Sequence, residues 1–480
     1  MKFKYQISLL LTCSCLFVTY GQTSDSLQYY LLTAAENNPA IKSAFHVYEA
    51  ALQKVPQMGA YEDPQLEMGF FLKPMELAEG KQIAEFKLMQ MFSWFGTQKA
   101  ARTEAQQMAQ MAFEAFREAK DNLYLEVYTQ WYLLGALQQK KHNSEANREL
   151  LQQLESLAIQ RFASGNSSGQ TGAREKMQTS EPKTPISNGM SNMSMPPLPL
   201  ASANGSGMMM SNSSFGGMSN SSPGGMSEVL RIQLEIIELE NKIASLQSEI
   251  TAEKARFNLL LNRDAHSEIQ IPNELIPNDF LTEESSAFAL IQAQNPMLAM
   301  LKSESSAYEA KAEMSKKMGY PMFGIGLQYM LMGKNPEQAS SGHGASVMSD
   351  MNGQDMIMPM VSLSIPLYRN KYKAAQKESR LLKQASEEKF QETSNRLQAD
   401  FIRLKHELND ERRKIELYKK QKTLAQTTYE LVLQEFTSGK SDLSAVIQMQ
   451  RQLLDYQLNT AEAISVYNTK MANIQKLISQ

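Results

Sequence analysis

The 480-residue chain has almost no cysteine, no long apolar run beyond its start and little net charge, and each absence narrows the field. Cys13 and Cys15 are its only cysteines, so the rest of the chain has neither a disulfide framework nor a thiol nucleophile. Lysine and arginine total 48 against 51 aspartate and glutamate, a formal charge of −3. That balance lacks the basic footprint of a nucleic-acid binder. After the N-terminus no apolar stretch approaches the roughly 18–20 residues of a spanning helix; Trp131 to Leu137 is among the longest. With a mean hydropathy of −0.40, a polytopic helical membrane protein is excluded. No Gly-rich phosphate loop follows a strand, and neither G-x-S-x-G nor H-E-x-x-H occurs, so the sequence offers no ground for an enzyme. The five histidines, at 46, 142, 266, 343 and 406, show no close ligand spacing.

The first residues read as an export signal. Lys2 and Lys4 precede an apolar run from Ile7 to Val18, and Thr19-Tyr20-Gly21 supplies small residues for cleavage. The expected signal peptide is 1–21, and both cysteines leave with it. Acylation at Cys13 or Cys15 is the alternative. An exported chain without a spanning helix can cross a membrane only as strands.

Proline is missing from 97–164 and 371–437, and Gly135 is the sole glycine in either stretch. Both are rich in Ala, Gln, Glu, Lys and Leu, which favour helix. At ~1.5 Å per residue each spans on the order of 100 Å, a length that persists only along a packed partner. The partners follow in sequence. Val229, Ile232, Ile236, Leu239, Ile243, Leu246 and Ile250 step by three and four as a packing seam does. The two long segments also recur in register. Lys99-Ala100-Ala101 returns as Lys373-Ala374-Ala375, and Ala100 to Gly165 and Ala374 to Gly439 are both 65 residues. Asn38-Pro39 returns as Asn295-Pro296, each opening a helical stretch. The economical explanation is a duplicated unit, with Gly165 and Gly439 as the turns of two helical hairpins.

The expected first repeat is 22–283: a helix, strands 65–73 and 83–92, long helix 97–164, an insert at 168–226 and return helix 228–261. The second is 284–480: helix 286–318, strands 322–332 and 356–366, long helix 370–437 and return helix 442–478. The strands alternate. Phe323, Ile325, Leu327, Tyr329 and Leu331 share one face, with Met322, Gly324, Gly326, Gln328, Met330 and Met332 opposite. In the partner strand Ile357, Val361, Leu363 and Ile365 oppose Met356, Met358, Met360, Ser362 and Ser364. Leu66, Met68, Phe70 and Leu72, then Phe86, Leu88 and Phe92, repeat the pattern in the first half. Four such strands fit a membrane barrel but cannot close one, and open edges are not tolerated in lipid. Three chains would supply twelve.

On these features the chain resembles the TolC-like outer-membrane efflux channels along essentially its whole length after the signal. The most specific residues are Val361-Ser362-Leu363-Ser364-Ile365-Pro366-Leu367-Tyr368 before Lys373-Ala374-Ala375. Phe436-Thr437-Ser438-Gly439 with Asp442, Leu443 and Val446, and Asn258-Leu259-Leu260-Leu261-Asn262, complete the set. The resemblance implies a mostly α fold with a small β part. Long antiparallel coiled-coil hairpins and four transmembrane strands per chain would form, in a homotrimer, a twelve-stranded barrel continuing into a helical barrel. It implies an outer-membrane location in a Gram-negative bacterium, contact with outer-membrane lipid, no catalytic site and no cofactor. The implied partners are a periplasmic adaptor and an inner-membrane pump of the RND type. Adaptor docking would fall on the tips: Phe162, Gly165, Glu228, Val229, Phe436, Gly439, Asp442 and Val446. Several relatives place gate aspartates six and nine residues after the second tip glycine; here those positions are Ala445 and Gln448. Asp442 and Glu228 are the acidic residues left near the tips.

Methionine is what this chain has in excess, with 31 residues. Nine fall in the Ser/Asn/Gly/Pro-rich insert, among them Met190, Met193, Met195, Met208, Met209, Met210 and Met218. Such a segment cannot build a core, so apolar methionine has no packing role there. His343, Met348 and Met351 cluster in the strand-to-strand loop, and Met330, Met332, Met356, Met358 and Met360 line the face assigned to the lumen. Thioethers are soft ligands suited to Cu(I) and Ag(I). The expectation is passive efflux of these ions as transient substrates. Two other readings stand beside it: a drug-efflux or type I secretion duct with incidental methionines, and a secreted coiled-coil scaffold without a pore.

Overall fold

The fold was analysed in a computed structural model that describes residues 27–77, 80–167, 226–272, 274–278, 284–334 and 353–479. The expected signal peptide and nearly all of the insert lie outside the described residues. In chain order the elements are α1 (Leu27–Asn37), α2 (Pro39–Gly59), β1 (Gln65–Leu77), β2 (Gly80–Phe92), α3 (Thr97–Ser167) and α4 (Met226–Leu260). The same succession follows as α5 (Glu284–Gln294), α6 (Pro296–Lys317), β3 (Met322–Gly333), β4 (Met356–Ser364), α7 (Arg369–Thr437) and α8 (Leu443–Ile478). Among the described residues no helix is long and apolar enough to cross a membrane.

The first strand pair runs longer than the expected 65–73 and 83–92, to Leu77 and from Gly80, and two expectations about the helices differ from the structure. The single helix expected over 286–318 is broken at Asn295, which is extended (φ −64°, ψ 122°) because the following Pro296 disfavours helical geometry before it. Asn295 instead caps α6: its side-chain oxygen accepts from Met297 N at 3.0 Å, and its amide donates to Leu477 O at 3.1 Å. Asn38 does the same for α2, accepting from Ala40 N and donating to Leu260 O, both at 2.9 Å. Each Asn-Pro pair therefore starts one helix and ties off the end of another. The second difference is Gly165. α3 runs through it to Ser167, since a long insert makes the return and no tight turn is required there.

The helices pack side by side, with α3 against α1, α2, α4, α6 and α8, and α7 against α6 and α8. The main core gathers Tyr30, Trp131, Phe257, Leu298, Phe401 and Tyr467 from six different helices. It explains the glycine in the middle of α3. A Cβ at Gly135 would collide with Leu275, which lies on the segment between α4 and α5. The four strands form one antiparallel sheet in the order β1-β2-β3-β4, leaving β1 and β4 as its edges within the chain.

Candidate functional site

Two regions combine exposed chemistry with defined geometry: the sheet, and the helix ends at the far end of α7. In the sheet, register carries the alternation of each strand into rows that cross all four. Leu66, Leu88, Leu327 and Pro359 make one row, and Met68, Phe86, Tyr329 and Ile357 the next. Phe92, Phe323 and Leu363 continue that face toward the helices. The face is open: Leu72 is 100% exposed and Val361 83%. Where strands meet helices it ends in an aromatic belt. Trp94 stacks on Tyr320 with centroids 5.3 Å apart, Phe95 lies 5.5 Å from Phe323, and Tyr61 lies 5.6 Å from Phe92. Amphipathic aromatics at the rim of an apolar band are what a membrane–water boundary selects.

The opposite face is polar and sulfur-rich. Lys87 Nζ pairs with Glu67 Oε2 at 2.9 Å, and Gln328 donates to Glu85 at 2.7 Å across the β2–β3 pair. Met330, Met356, Met358 and Met360 occupy this face, and register sets Met332 opposite Gln82. Sequence reasoning missed Met89 and Met91, which join them from β2. Their signal was present, since residues 85, 87, 89 and 91 alternate with apolar positions. Gln90, however, sits where the outer face should be apolar and hides the period. Its amide instead reaches Glu62 O at 2.6 Å.

At the far end, α7 closes with a Schellman turn. Lys440 N donates to Glu435 O at 2.8 Å and Gly439 N to Phe436 O at 3.1 Å, with Gly439 left-handed at φ +80°. Arg161 from α3 donates to Phe436 O at 3.0 Å and lies 4.7 Å over its ring. Of the expected docking residues, Val229, Phe436 and Val446 are buried in a common cluster with Leu443 and Ile447. These three hold the tip together and present no surface. Gly439 and Asp442 are exposed and Glu228 partly so. Phe162 and Gly165 end α3, where side chains lie outside the described residues.

Glu228 and Asp442 are brought together. Burial raises the Glu228 carboxyl above its usual range, reinforced by the hydrogen bond and charge of Asp442, while Arg161 partly offsets this. Asp442 is lowered, chiefly by the Ser444 hydroxyl. Of the pair, Glu228 is therefore the carboxyl that gives up its proton at the higher pH. The metal candidates Met190, Met193, Met195, Met208, Met209, Met210, Met218, His343, Met348 and Met351 lie outside the described residues. Among the described residues no group of three or more His, Cys, Asp or Glu converges as a metal site.

Residues 288–480 match the family of outer membrane efflux proteins. This stretch, the second half of the chain, is similar to outer membrane efflux proteins. Comparison with curated proteins yields no match to the sequence. Among solved structures, the outer membrane protein VceC from Vibrio cholerae aligns with a TM-score of 0.66 at 11% identity, over 94% of this chain and 95% of VceC. CusC aligns with 0.65 at 13%, over 97% and 95%. The Campylobacter jejuni CmeC outer membrane channel aligns with 0.65 at 9%, over 96% and 90%. The three alignments span nearly the whole of each chain and show that the fold is shared.

Proposed function

We propose that the chain is the outer-membrane exit duct of a tripartite efflux system, working as a homotrimer with a periplasmic adaptor and an inner-membrane pump of the RND type. One observation carries this reading: a four-stranded sheet with two unpaired edges, apolar and exposed on one face, polar and methionine-lined on the other. Neither the open edges nor the polar face is tolerable in lipid unless further strands continue the sheet into a ring. Contact of β4 with the next chain's β1 is heterologous, and such contacts close into rings when the rotation permits. Three copies give twelve strands, above the roughly eight needed to close. The helices repeat the logic. α2 and α4 pack mainly on α3 at one side, α7 bounds the other, and Leu230, Leu234, Leu417, Leu424 and Leu431 stay exposed along these flanks. In a trimer α7 meets the next chain's α2 and α4, so the helices close into a tunnel in which each chain contributes two equivalent repeats.

The favoured substrates are Cu(I) and Ag(I), because the methionines of the inner face would line the bore and neutral thioethers bind soft monovalent ions. A strain lacking the protein tests both levels. Loss of copper and silver tolerance supports metal efflux, whereas unchanged tolerance with heightened dye or antibiotic sensitivity supports a drug duct. A chain that washes off membranes in salt or urea would be the scaffold instead.

A further inference from the structure

The inner face of the sheet holds a gap as well as a stripe. β3 separates β2 from β4, so side chains on the outer two stand roughly two strand spacings apart, about 10 Å. Gly324 and Gly326 leave the intervening positions empty. Register sets Met89, Gly326 and Met360 in one row and Met91, Gly324 and Ser362 in the next. Across the gap Ser362 Oγ lies 3.4 Å from Met91 Sδ and 3.7 Å from Met89 Sδ. A Cβ at Gly324 would collide with both the Met91 sulfur and the Ser362 hydroxyl. A Cβ at Gly326 would stand 3.6 Å from Met360 Cε. Three thioether side chains from two strands therefore lean over one glycine pair, all half-buried.

We propose that Met89, Met91 and Met360, grouped by Ser362 over Gly324 and Gly326, form a binding site for a soft monovalent cation, Cu(I) or Ag(I), at the helix-side end of the inner face. Hard cations find no anionic oxygen in this set, whereas thioether sulfur matches soft ions. The hydroxyl keeps two sulfurs side by side when no ion is bound, so little side-chain freedom remains to be lost on binding. Uncharged ligands hold the ion without neutralising it, which suits passage rather than storage. The packing alternative, methionine as adaptable filler of a glycine gap, needs no sulfur. The inference deepens the proposed substrate class and takes its physiological meaning from it.

The test is an Ag(I) titration of the full-length protein in detergent, read by calorimetry. The M89L/M91L variant is set against the parent and against M68L, which changes a methionine of the outer face of the same sheet. Leucine is close to methionine in volume, so the fold is kept. The expected result is loss of one tight Ag(I) equivalent per chain, or at least tenfold weaker binding, in M89L/M91L alone. A parental titration curve for M89L/M91L overturns the site even if the deletion strain is silver-sensitive. Loss of binding in M89L/M91L with unchanged metal tolerance of the deletion strain upholds the site and removes the efflux reading.

Discussion

The sheet and the helical shaft treat the same kinds of side chain in opposite ways. In the shaft, Ile232 and Val446 are completely buried and their seams run helix against helix. In the sheet, Leu72, Phe70, Val361 and Leu363 stand open over a continuous face. A protein surrounded by water everywhere does not leave a contiguous apolar band of that extent. Under the proposed function the difference teaches that the two regions have different solvents: the shaft is built for water outside and apolar contact inside, the sheet for lipid on its outer face.

The largest effect that could break this comparison comes from Val361→Arg. On a lipid-facing strand it costs on the order of 2–4 kcal/mol per chain near the midplane, and three copies act together. On a water-facing surface it would stay within about 0.5 kcal/mol. Loss of a detergent-resistant trimer on gels is the expected outcome, and an unaffected assembly would mean the face meets water. Next comes Phe436→Ala in the shaft. It empties a buried ring and removes the surface under Arg161, at about 3–5 kcal/mol, with amide exchange rising around 429–450 while the sheet is unchanged. Asn295→Ala should cost roughly 1–2 kcal/mol through the lost cap, seen as faster exchange at the start of α6 and end of α8; Asn38→Ala should match it at α2.

The smallest effect is pH-dependent. Glu228 has a raised carboxyl, so its contribution to tip stability is complete below the ordinary carboxylate range and is lost as pH rises through the raised value. Asp442 is lowered, so its contribution holds above that range and is lost only as pH falls through its own value. Exchange at 226–232, corrected for intrinsic rates, should therefore increase from acidic toward neutral pH, and Glu228→Gln should flatten that rise.

Much of this was legible in the sequence because period is local. Seam residues Val229 through Ile250 and the alternation of β3 and β4 need no knowledge of neighbours. What escaped depended on pairing. Met89 and Met91 acquire meaning only when register sets them opposite Gly326 and Gly324, and Gln90 interrupts the pattern that would have exposed them. Trp94 and Tyr320 lie in separate connections and meet only because β2 pairs with β3. The break before α6 was readable in Asn295-Pro296, yet good helix formers on both sides favoured a continuous helix. The tip residues illustrate the reverse problem: a hydrophobic residue beside a turn glycine reads equally as docking surface or as core, and burial alone assigned Val229, Phe436 and Val446 to the core.

The central claim, that this sheet is one third of a closed wall, is tested most directly by the native mass of the protein extracted from membranes into detergent. The account predicts a single species containing three chains. A lone chain that keeps its fold without detergent would contradict it.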